Sequence, residues 1–68
     1  MTQAADMKPR TEQQHRCAMA ATARRWEAAR AANDADMTMA NCATEAAARR
    51  EHMKACAAAS RWASKQPA

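Results

Sequence analysis

The chain contains no leucine, isoleucine, valine, phenylalanine, tyrosine or glycine. Its hydrophobic fraction of 49% comes mostly from 22 alanines, and only six Met, three Cys and two Trp are left to bury larger side chains. Alanine is the strongest helix former and carries almost nothing to bury, so this composition predicts helices with a thin core. At 68 residues the chain is a single domain, of a size at which one core seldom suffices without a staple or a partner. The expected fold is an all-α antiparallel two-helix hairpin, completed by self-association or by docking into a larger body.

Residues 1–10 are polar, with Pro9 near their end, and read as a flexible leading segment. Thr11-Glu12-Gln13-Gln14 then reads as a capping box, with Thr11 at the N-cap and Gln14 at N3. The hairpin is expected over residues 11–66, with helices at 12–32 and 38–64 joined by a turn at 33–37. Asn33-Asp34-Ala35-Asp36 is the turn-like cluster: Asn33 suits a left-handed C′ position, and Asp36 or Thr38 can cap the second helix. Glu12/Arg16 and Glu45/Arg49 stand at the favourable i,i+4 spacing, and Lys65 sits at the negative end of the second helix dipole.

On the second helix Met39, Cys42, Ala46, Arg49, Met53, Cys56, Ser60 and Ala63 alternate by three and four, the spacing of a packing seam. On the first, Cys17, Ala21, Arg24, Ala28 and Ala31 form a small-residue face suited to close helix contact. Met19, Thr22, Ala23 and Trp26 then lie on roughly the opposite side, and Met19, Trp26 and Trp62 become the expected partner-docking residues.

Cys42 and Cys56 are fourteen residues apart on one helix, about 21 Å and far beyond disulfide reach. In the hairpin Cys17 and Cys56 come level to within about 3 Å along the axis, which makes them the candidate disulfide. The alternative is three small thiols in the core.

Thiolate and thioether side chains cluster as Cys17, Met39, Cys42, Met53 and Cys56, a soft donor set of the kind that favours Cu(I). Core packing explains the repeat Met39-x-x-Cys42 and Met53-x-x-Cys56 equally well, and no paired Cys-x-x-Cys or clustered His motif accompanies it. The stretch from Cys42 to Ser60 resembles the cysteine-lined four-helix copper-storage proteins, with Ala or Ser at most of their cysteine positions. The reading without a cofactor takes precedence over copper.

Eleven Lys and Arg against seven Asp and Glu give a net charge of +4, which suits an acidic protein surface, nucleic acid or an anionic membrane. Arg24, Arg25, Arg49 and Arg50 come level across the hairpin as a basic belt. With only two aromatic side chains for stacking, nucleic-acid binding through that belt would be directed at phosphates and strongly salt-dependent. No apolar run approaches a membrane span, and Met1 to Arg10 lacks the apolar region of a secretion signal, so a soluble chain is expected. His15 with Cys17, or His52 with Cys56, are the base and nucleophile candidates for an enzyme, and neither pair shows a pocket, so catalysis is not expected.

Two longer patterns resemble known families. Thr11, Thr22, Asn33 and Thr44 recur every eleven residues, which resembles the Ala-rich helical antifreeze proteins of fish, although Arg30 and the Asn33 turn interrupt the face. Level cysteines at 17 and 56, with the second helix ending in His52-Met53-Lys54-Ala55-Cys56-Ala57-Ala58-Ala59, resemble the coiled-coil-helix-coiled-coil-helix proteins of mitochondria over residues 15–60. Glu27 stands where that family's Cys-x9-Cys pattern would place the partner of Cys17. The resemblance implies a mitochondrial location, oxidised cysteines and a structural place in a larger complex. The resulting expectation is a non-catalytic structural or accessory subunit, with soft-metal carriage and phosphate-backbone binding as alternatives.

Overall fold

A computed structural model describes residues 8–67 of the chain. They form two helices, α1 (Glu12–Ala35) and α2 (Met39–Ser64), packed antiparallel as a hairpin with no strand among the described residues. The all-α hairpin is therefore the fold. Of the leading segment 1–10, only residues 8–10 are among those described.

Both helices start where their caps dictate. Thr11 Oγ1 accepts from the backbone N–H of Gln14 at 3.1 Å, and Gln14 Oε1 reaches back to the N–H of Arg10 at 2.7 Å, one residue before the usual partner of a capping box. Thr38 caps α2 in the same way, accepting from Asn41 N–H at 3.0 Å.

The connection is shorter than expected. α1 runs through Asn33 and Asp34 to Ala35, and Asp36 is its C-cap in an extended conformation, with its N–H bonded to Ala32 O. Asn33 does not take the left-handed position, since no described residue has positive φ. It stays helical because its side chain finds partners on α2, which outweighs its turn preference. Of the two anticipated i,i+4 ion pairs, Arg16 meets Glu12 at 2.5 Å, whereas Glu45 turns to Asn33 and leaves Arg49 without a carboxylate among the described residues. A further pair joins Lys54 to Glu51 at 3.8 Å.

The packing seam is displaced from the expected one, by one residue on α2 and to roughly the opposite face on α1. On α2 the half-buried positions include Asn41, Glu45, Ala48, His52, Ala55, Ala59 and Trp62, while Met39, Cys42, Ala46, Arg49, Met53, Ser60 and Ala63 are exposed. On α1 it is Met19, Thr22, Ala23 and Trp26 that are covered, and Cys17, Arg24, Ala28 and Ala31 that face outward. A rotation of about 100° separates the two arrangements on α2. It brings both indole rings and the hydrogen-bonding side chains into the contact, which buries more area than facing alanines would.

Candidate functional site

The centre of the hairpin is polar. No apolar side chain is fully buried among the described residues, and the three residues that are buried are His15, Thr22 and Asn33, at 5%, 7% and 8% exposure. Of the eleven-residue recurrence, Thr22 and Asn33, three turns of helix apart, are buried on the α1 seam, whereas Thr11 is the exposed N-cap of α1 and Thr44 is exposed on α2. That placement removes the flat surface an antifreeze protein requires.

Three clusters occupy the seam in order from the turn. Nearest the turn, Asn33 Nδ2 donates to Glu45 Oε1 at 3.1 Å, and the Cys42 thiol donates to Asn33 Oδ1 at 3.4 Å. At mid-length Thr22 Oγ1 and His52 Nδ1 are 2.8 Å apart, His52 Nε2 lies 3.5 Å from Cys56 Sγ, and the Trp26 ring lies over His52 with centroids 5.7 Å apart. Arg30 covers the same indole at 5.4 Å, a cation–π contact. At the open end the rings of His15 and Trp62 lie 5.4 Å apart, and Trp62 Nε1 donates to Arg10 O at 3.1 Å. Both nitrogens of His15 and the Trp26 Nε1 are buried without a partner among the described residues. Such orphaned groups cost about 1–3 kcal/mol each.

The residues singled out for docking therefore sit differently from expectation. Met19, Trp26 and Trp62 are half-buried between the helices and hold the hairpin together. Among the described residues, the large apolar side chains left on the surface are Met37, Met39 and Met53, at 77%, 90% and 56% exposure. Hydropathy alone could not separate these phases, because alanine fills every face. The signal that was available is the run of side chains able to pair across the seam at spacings of four, seven and ten: His15, Thr22, Trp26 and Asn33 against Asn41, Glu45, His52 and Trp62.

All three cysteines are free thiols, so the Cys17–Cys56 bridge is not formed. Cys17 is about 200° round the helix from the buried His15, on the outward side of α1, whereas Cys56 turns to His52 on the seam. Cys17, Met39, Cys42, Met53 and Cys56 do not converge, and among the described residues no three His, Cys, Asp or Glu side chains group as metal ligands. Arg24, Arg25, Arg49 and Arg50 are all exposed and none is within 4.0 Å of a carboxylate among the described residues. Adjacent residues diverge by about 100° on a helix, so the belt wraps round the hairpin and offers no single face of four guanidinium groups.

Grooves cross both helices at more than one level: one lies at the open end between His15, Met19, Ala59 and Trp62. Another is floored by Ala28, Ala29, Ala47 and Ala48, with Arg25 on the α1 side and Glu51 on the α2 side. The register set by Thr22 with His52 and Asn33 with Glu45 brings Arg25 level with Glu51. No helix among the described residues is long and apolar enough to cross a membrane. Comparison with protein-family models, curated proteins and solved structures found no match, so the geometry of the hairpin alone carries the functional reading.

Proposed function

We propose that the chain is a non-catalytic structural subunit, a helical hairpin that finishes its core against other helices. The observation that carries this reading is the absence of any fully buried apolar side chain among the described residues, beside three methionines more than half exposed. A two-helix layer of this kind lacks the dry interior that stabilises a small domain, and packing against further helices would supply it.

The alanine-floored groove suits a second copy of the same chain. A half-turn about an axis running along the helices lays α1 of one copy over α2 of the other and sets each Arg25 against the other copy's Glu51. Small residues let the backbones approach closely, and the paired charges at the rim fix the register. The product is an antiparallel four-helix bundle.

Sedimentation equilibrium of the reduced chain tests this. The expected result is the mass of two chains, lost to the monomer in Glu51→Arg and regained when Arg25→Glu is added to the same chain. A monomer with concentration-independent, cooperative unfolding would overturn the structural-subunit reading. A monomer that unfolds without cooperativity would overturn the pairing with itself and leave a different helical partner.

A further inference from the structure

The three thiols of this hairpin stand in three different chemical settings. Cys17 is exposed and makes no hydrogen bond among the described residues. Cys42 donates to the amide oxygen of Asn33, a group that cannot hold the proton. Cys56 is half-buried, with its Sγ 3.5 Å from a ring nitrogen of His52 one turn earlier on α2.

The other side of that imidazole is fixed from α1. Thr22 is buried, and its hydroxyl lies 3.0 Å from Ala18 O and 3.1 Å from Met19 O as well as 2.8 Å from His52 Nδ1. A hydroxyl has one hydrogen, and the two helical carbonyls accept it; its oxygen is then free to accept from Nδ1–H. This assigns the tautomer: Nδ1 carries the hydrogen, and Nε2 presents its lone pair to the Cys56 thiol. Nucleophile, base and a group that orients the base are thus in sequence, drawn from both helices.

We infer that Cys56 is a reactive thiol that exchanges with small disulfides, modifying the chain once and without turnover. As Sγ attacks one sulfur of the disulfide, its proton passes to His52 Nε2. A new S–S bond forms to Cys56, the disulfide's own S–S bond breaks, and the departing thiolate takes the proton back from Nε2. Cys56 is oxidised to the mixed disulfide, one half of the small disulfide is reduced to a thiol, and the imidazole ends neutral.

The experiment uses the full reduced chain and bis(2-hydroxyethyl) disulfide, an uncharged probe. The adduct at each cysteine is timed by acid quench and peptide mass, and each rate is divided by that of the same cysteine in urea. Cys56 is expected to exceed Cys42 by at least about tenfold on this scale, a modest share of what a positioned base supplies. His52→Gln should abolish that excess and Thr22→Val reduce it, with the rates of Cys17 and Cys42 unchanged. A variant that merely loosened the hairpin would move all three ratios towards unity, and helix content by circular dichroism gives the same check. A native Cys56 no faster than Cys42, or an undiminished rate in a folded His52→Gln chain, would overturn the inference. Neither outcome depends on how many copies associate.

Discussion

Near the turn the helices meet through hydrogen bonds between side chains: Asn33 holds Glu45 and receives Cys42, and Asn41 Nδ2 closes the loop onto Asp36 O at 2.7 Å. At the open end they meet through rings, His15 against Trp62, and the imidazole there has no hydrogen-bond partner for either nitrogen among the described residues. The first kind of contact fixes register, because each bond accepts only one alignment of the two helices. The second supplies area but tolerates sliding and strands polar atoms. The hairpin draws its specificity from one end and much of its buried surface from the other.

Three substitutions sharpen or break that contrast. Trp62→Ala should have the largest effect, since it removes the ring, its bond to Arg10 and the cover over His15. Truncation of a Trp in a full core costs about 3–5 kcal/mol, and this half-buried one about 2 kcal/mol, read as a loss of urea midpoint. A midpoint unchanged by this variant would mean that the open end contributes no stability. Asn33→Ala should cost about 1–2 kcal/mol by leaving Glu45 without its donor, and amide exchange should quicken around Glu45 while the open end keeps its protection. Uniform quickening along both helices would show that the two ends do not act separately. His15→Phe should move the other way: a ring of similar shape keeps the contact with Trp62 and removes the two orphaned nitrogens, raising stability by about 1 kcal/mol. For a chain of this length that is a rise of about 4–8 °C in Tm, and a fall would mean that His15 has a partner in solution.

The helices, the Thr11 N-cap and the antiparallel pairing were legible in the sequence, because alanine content and the Thr11 signature act locally, while the second cap was legible only as one of two candidates, Asp36 or Thr38. The phase of the seam was not. A search for apolar stripes selects methionine and cysteine, and here Met39 and Met53 face outward while Thr22, Asn33 and His52 face in. Partner choice across the seam decides the matter, and that depends on which residues the other helix brings level. The end of α1 was misplaced for the same reason, since Asn33 reads as a turn residue until Glu45 and Cys42 are seen beside it. Of the candidate site, the pair His52 and Cys56 was visible as i,i+4 on one helix; Thr22, thirty positions earlier, was not.

The bond from Trp62 to Arg10 joins residues 52 apart, whereas Asn33 and Glu45 are separated by 12. Closing the longer loop from an open chain costs about 1.3 kcal/mol more than closing the shorter one. The hairpin should therefore zip from the turn outward, with the Asn33 network forming before the indole docks, and should come apart in the reverse order when its two ends are drawn apart. Under tension the Trp62 ring is the first latch to release, and the turn is the last point at which the helices remain joined.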